Sequence, residues 1–399
     1  MNDWGFPTEL EDISGQVAIV GVGESEHSRA SGRTPEEIAA SAVERALADA
    51  GLEAGDIDGI MCAPRMGGQF GAAAFQAHFG VTHELWSSDR GGGMVWAGTA
   101  PYEAAAALRE GKARYILNTF AVAWATQRDS MVGGPGEMHA EEQYKQNLEV
   151  PFGWFPQPVY FASIARRHLH EFGTTEAQLG AVAVTCRRHA NLTPGAVMHD
   201  RPLTLDTYLA SPKIADPFRK EDCCLISDGG GAYIMTTADR ARDTRAPISV
   251  AGVGLGNSAT GTHWAEQAAF TSTPQVFAAP GAWRMAGITP ADVDVLTLYD
   301  PFTIHALMQI EDMGFCPKGD AGPFAESAGG RALAFDGGVL PYNTHGGLLS
   351  HAYVLGIAHV VEVVRQLRGE AAAQVPDAEI GVYGGYTGPQ ASTLVLRRD

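Results

Sequence analysis

The stretch DRGGGMVWAG, from Asp89 to Gly98, has the form of a loop that could hold a reactive group. Three glycines lead into a helix-compatible run, GTAPYEAAAALREG, and backbone amides at such a turn can bind an anion. Yet the turn carries no Cys, Ser or Thr before Thr99, and its first side chain after the glycines belongs to Met94. The five cysteines, Cys62, Cys186, Cys223, Cys224 and Cys316, are odd in number and unpatterned, and the adjacent pair lacks zinc-ligand spacing. His168 and His170 are two apart and cannot share a helix face. GVGLGNSATG has the wrong glycine spacing for a dinucleotide fingerprint, and no phosphate-loop lysine follows. No cofactor of the chain's own is expected.

A chain of 399 residues, 45% hydrophobic and 19% charged, can bury a large core in two or three domain-sized units. A net charge of −18 argues against nucleic acid or an anionic membrane as the main partner. The opening MNDWGFPTEL has neither the charged nor the apolar region of a signal peptide, and no apolar run approaches the roughly 18 residues of a membrane span. With few, unpatterned cysteines, the expected compartment is the cytoplasm.

The elements that must position the turn repeat. VAIVGVG, from Val17, reads as a buried strand. TPEEIAASAVERALADAGL follows as a helix, with Thr34 as cap, Pro35 at its first position and Gly51 at its end. DIDGIMCAP supplies the next strand, completing a parallel unit. ISVAGVGLG and AWRMAGITPADVDVLTLYD repeat this order, Ala286 answering Ala50 and Asp292 answering Asp56 at one offset. The glycine turn with its helix is matched by HGGLLSHAYVLGIAHVVEVVRQLRG. The chain therefore reads as an α/β protein of two similar βαβ-type halves, 1–240 and 241–399, joined near 237–247. The first half carries a loop-domain insertion at about 122–220, whose VPFGWFPQPVYF is either core or the lining for a large flat apolar ligand.

Two such halves, with CCLISDGGGAYIM, YDPFTIHALMQIEDMGFCPKG and NTHGGLLSHAYVLG, resemble the thiolase superfamily, most nearly its lipid-transfer-protein type. The resemblance implies a layered αβαβα core. It also implies a catalytic Cys at the glycine turn, where this chain has Met94, or Gly93 if the alignment slips by one. The family's two histidines fall on Tyr299 and Tyr353. Without a thiolate no acyl-enzyme can form. The paired His-to-Tyr change resembles the Cys-less steroid side-chain aldolases of bacterial steroid degradation.

That resemblance implies a retro-aldol cleavage of a β-hydroxyacyl-CoA steroid to a ketosteroid plus propionyl-CoA or acetyl-CoA. Tyr299 and Tyr353 would transfer the protons. His345, Asn343 and the amides around Gly93, Met94 and Gly347 would offer donors to an enolate oxygen. Asp300 either joins them or caps the next helix. It further implies a homodimer bound to an OB-fold, zinc-ribbon protein carried on an acyl-CoA hydratase subunit, so that any zinc would be the partner's. Two other readings stand beside it. One is an acyltransferase with another nucleophile, Cys62 or Cys316. The other is a non-catalytic scaffold or lipid carrier for an acyl-CoA-binding partner.

Overall fold

The computed structural model describes residues 3–62, 70–127, 147, 150–154, 156–259 and 268–398. After a short strand β1 (Gly5–Thr8), the first half comprises β2 (Val17–Glu24), a helix Pro35–Ala50, β3 (Gly59–Met61), β4 (Trp86–Ser88), a helix Val95–Arg109 and β5 (Ile116–Ala123). Helices Gln157–Phe172 and Glu176–Leu192 and a small hairpin, β6 (Lys213–Ala215) and β7 (Phe218–Arg219), precede β8 (Asp228–Thr237). The second half runs β9 (Ile248–Ser258), helix Gln275–Ala286, β10 (Val295–Leu298), helices Thr303–Asp312 and Ile357–Arg368, β11 (Ile380–Tyr386) and β12 (Gln390–Arg397).

The halves are arranged alike. In the main sheet, β2-β8-β5-β3 mirrors β9-β12-β11-β10, and the two sets meet where β2 lies antiparallel to β9. That seam holds only two residue pairs, Ala18 with Ser249 and Ile19 with Ile248. Beyond β3 lies β4, the last strand on that side, whereas Tyr342 bridges to Leu296 beside β10 at the other end.

Glycine pairs explain how the outer helices sit. A Cβ at Gly21 or Gly23 would collide with the carbonyls of Ala46 or Ala42, and one at Gly252 or Gly254 with those of Ala282 or Ala278. Both halves thus lay an Ala-rich helix directly on a strand, and the glycines of GVGLG serve packing. Thr34 closes a capping box with Glu37, and Gly51 and Gly287 end the two outer helices in the left-handed conformation.

Between the half-sheets lie helices Val95–Arg109 and Ile357–Arg368, each touching strands of both halves. All of Ile357–Arg368 is buried except Arg365 and Arg368. Pro101 lacks an N–H, which deprives the Ala97 carbonyl of its helical donor, and the Tyr233 hydroxyl from β8 supplies one at 2.7 Å. The layering is therefore helix, sheet, helix, sheet, helix, as the resemblance implies.

The aromatic stretch of the insertion divides: Phe152 is exposed, and the later described aromatics go into the core. Tyr160 and Phe161 are buried, Trp154 packs on Tyr160, and Phe161 packs on Phe302 and His305. Phe155 lies outside the described residues. Among the described residues no helix is long and apolar enough to cross a membrane.

Candidate active site

Tyr299 follows β10, and its backbone N–H donates to the Gly384 carbonyl of β11 at 2.8 Å. Tyr353 lies in the loop before helix Ile357–Arg368, its N–H donating to Ser227 Oγ at 2.8 Å. Though 54 residues apart, the two hydroxyls are 3.0 Å from each other. Tyr299 is 5% exposed and Tyr353 half-buried. Burial, and then the neighbouring Tyr353, push the Tyr299 hydroxyl well above its ordinary value. Burial also raises Tyr353, with Cys224 adding to the effect. Neither ring ionises readily, so an isolated phenolate is costly here.

His345 is 3% exposed, edge-on to His351 and His359, and neither of its ring nitrogens has a partner among the described residues. Burial, then His359 and His351, hold its pKa well below the ordinary value, so the ring is neutral and offers one N–H donor. Behind it, the buried Asp300 carboxylate accepts from the Leu348 amide at 2.8 Å and lies 3.2 Å from His359 Nε2. It does not cap helix Thr303–Asp312.

Two sequence expectations need correction. Asn343 is fully buried. Its Oδ1 accepts from Leu298 N at 2.9 Å and its Nδ2 donates to Leu298 O at 3.1 Å, so it braces the end of β10 instead of presenting a free donor. The Met94 amide of the glycine turn is likewise engaged. Gly92 N–H donates to Asn118 Oδ1 at 2.7 Å, and Met94 N–H donates to the Leu355 carbonyl. Gly93 and Gly347 matter for room: a Cβ on Gly93 would strike Leu355, and one on Gly347 would strike Asp300 and Asn343. Met94 keeps a left-handed backbone, φ 51 and ψ −131, at the helix start, with its carbonyl accepting from Tyr383 OH at 2.8 Å.

No thiol substitutes for the missing nucleophile. Burial raises the pKa of all five cysteines, Cys316 to about 12, and none lies at the turn.

Glu24, His27 and His351 bring one ligand-type atom each within 4.8 Å. Glu24, however, also pairs with Arg365, and His351 Nε2 lies 2.9 Å from its other oxygen. Burial alone would raise Glu24, but Arg365 and His351 outweigh it and hold the carboxyl well below its usual range. A cation there would meet the Arg365 charge at once. The cluster is a polar brace between β2 and helix Ile357–Arg368.

A cavity of about 650 Å³ opens at Cys224, whose thiol acts on both tyrosines, although neither tyrosine lines it. Arg29, Arg187, Arg201 and Lys220 line it together with one carboxylate, Glu221, which pairs with Lys220 at 3.4 Å, and Cys224 and Ala125 form part of its wall. In so acidic a chain, four cations against one carboxylate around a cavity favour an anionic ligand. Sequence reasoning missed this group because its members are scattered from residue 29 to 220.

The same layering occurs in human mitochondrial 3-ketoacyl-CoA thiolase, which superposes at a TM-score of 0.68 and 14% identity over 96% of this chain and 98% of that one. Residues 256–398 match the family described as thiolase C-terminal domain-like. Fold and site together define a thiolase-fold protein that lacks the thiolase nucleophile. The chain is 35% identical over 96% of its length to all of the 17-hydroxy-3-oxo-4-pregnene-20-carboxyl-CoA lyase of Mycobacterium tuberculosis. It is 33% identical to the steroid side-chain-cleaving aldolase of Thermomonospora curvata, with 97% of this chain and 99% of that one covered. The solved Ltp2-ChsH2(DUF35) aldolase superposes at a TM-score of 0.86, with 32% identity over 98% of this chain and 99% of that chain. The chain belongs to the thiolase-like family of steroid side-chain-cleaving aldolases.

Proposed function

We propose that this protein cleaves the side chain of a steroid β-hydroxyacyl-CoA by a retro-aldol reaction, giving a ketosteroid and a short acyl-CoA, propionyl-CoA or acetyl-CoA. The observation that carries the reading is the pair of buried hydroxyls 3.0 Å apart, Tyr299 and Tyr353, where no nucleophile stands.

The pair supports a proton relay. Tyr299 Oη accepts the β-hydroxyl proton while its own proton passes to Tyr353 Oη. The Cα–Cβ bond breaks, the β-oxygen becomes a carbonyl, and the bonding electrons form the thioester enolate. As it receives that proton Tyr353 gives its own to the α-carbon, in concert with bond breaking, so neither phenol oxygen ever carries two protons. Each tyrosine ends as it began, so the raised pKa values of the pair are no obstacle. The neutral His345 N–H, buried and without a partner among the described residues, would stabilise the enolate oxygen. The cationic cavity would take the phosphates of the CoA moiety. No step requires a cofactor of this chain.

The partners follow from the same reading. The terminal strand β4 could pair with a second copy to make a homodimer. An OB-fold, zinc-ribbon protein on an acyl-CoA hydratase subunit would complete a cytoplasmic heterotetramer.

The test uses Tyr299→Phe and Tyr353→Phe, which remove one hydroxyl each and keep the ring. With the partner present and a steroid β-hydroxyacyl-CoA, release of the short acyl-CoA should fall about 100- to 10,000-fold in each variant. Folded variants that cleave within a few-fold of the parent would overturn the assignment and favour the scaffold reading.

A further inference from the structure

β5 ends at Ala123, and the next residue, Trp124, sets its half-buried indole against Tyr353, ring centroids 4.6 Å apart. The backbone just beyond it is pinned. Asp228, the first residue of β8, accepts from Ala125 N at 2.7 Å, Thr126 N at 3.0 Å and Thr126 Oγ1 at 2.5 Å. The same carboxylate accepts from Ser31 N at 2.6 Å and Ser31 Oγ at 2.8 Å. Five donors on one buried carboxylate make a stiff mount, and a strand end on a rigid sheet holds a side chain more closely than a free loop would. Core packing does not require such a mount for an indole that remains partly open. The indole is a large aromatic surface in contact with Tyr353 of the tyrosine pair, and the adjacent Ala125 lines the cationic cavity.

We propose that Trp124 is the platform on which the flat apolar ring system of the substrate lies, and that Asp228 is its positioning residue. This rests on the aldolase reading and deepens it. The thioester end is polar and is served by the cations, whereas a fused-ring hydrocarbon needs an apolar face beside the reacting carbon. A rigidly held indole supplies that face with little ordering cost. Trp124 would thereby set specificity for a polycyclic over an aliphatic acyl group without taking part in proton transfer.

Trp124→Ala and Trp124→Phe are compared with the parent, partner present, on a steroid β-hydroxyacyl-CoA and on a short aliphatic β-hydroxyacyl-CoA. For Trp124→Ala the steroid KM should rise about 10- to 100-fold, with Trp124→Phe in between. The aliphatic KM should stay within about two-fold. Direct binding of the ketosteroid product, read by calorimetry, should weaken in parallel while binding of free CoA does not. The product arm needs no turnover, so it separates failure of this proposal from failure of the aldolase reading. Steroid KM and product binding unchanged within about two-fold would overturn the proposal. So would equal losses on both substrates with product binding intact, because Trp124 would then only support Tyr353.

Discussion

The two halves share a scaffold and differ in chemistry. Each lays a helix on a glycine-paired strand, ends it on a left-handed glycine, and sends a buried helix between the sheets. The second half supplies Tyr299, Asp300, His345 and Tyr353. The first supplies the glycine turn, Met94 and Trp124. The difference teaches that this backbone geometry does not depend on a nucleophile standing at the turn. Met94 still holds φ 51 although it carries no nucleophile, because Leu355, Tyr383 and the close-packed Gly385 hold the turn from the second half.

Acid should disturb this arrangement most. Burial lowers His27 and His305 to about 3 and His189 to about 4, and lowers His345 well below its ordinary value. Unfolded histidines titrate near 6.5, so below that pH the unfolded chain binds protons that these folded groups refuse. Stability is fully present above about pH 6.5 and should fall by up to about 1.4 kcal/mol per pH unit for each such histidine as pH drops toward 4. Hydrogen exchange at pH 4.5 should lift protection in the loop carrying His345 before β2 or β5. A flat denaturation midpoint from pH 7 to 4.5 would contradict this.

A smaller effect tests the braces. Asn343 holds Leu298 in the second half, and Asn118 holds Gly92 in the first by Oδ1 from N at 2.7 Å and Nδ2 to O at 3.2 Å. Asn343→Ala and Asn118→Ala each leave buried backbone groups unpaired and should cost about 2–4 kcal/mol by denaturant unfolding. If Asn118→Ala costs under about 0.5 kcal/mol, the glycine turn is held by packing alone and the braces are not equivalent.

The smallest expected change is the sharpest on history. Met94→Cys restores a thiol to the turn, but the positions that would activate it are tyrosines whose own pKa values are raised. Thiolysis of a 3-ketoacyl-CoA should stay at background, and labelling by iodoacetamide at pH 7 should be slow. Fast labelling with measurable thiolysis would show that the second half had retained a thiolase base in another form.

The repeat was legible because it rests on local signals: a capped helix, glycine at its end, and small residues at strand contacts. The absent nucleophile was equally plain from one short stretch. The use of Asn343 was not legible, since an Asn beside glycines reads as a free turn donor until Leu298 is known to face it. The brace of Glu24 with His351 and Arg365, and the five donors on Asp228, join residues about one hundred to over three hundred positions apart, and no periodicity encodes such meetings. Trp124 was invisible for the same reason, its role being set by a neighbour 229 residues away.

The central helix Val95–Arg109 has a consequence for how the chain is born. Its Gly98 lies against Ser392 and Tyr383, and the Ser392 hydroxyl donates to its Val95 carbonyl at 2.9 Å. Those partners leave the ribosome almost three hundred residues later, tens of seconds after the helix. Until then the helix has apolar flanks and only half a sheet to cover them. The nascent first half should therefore be a client for chaperones, and translation pauses placed before β11 and β12 would prolong its exposure.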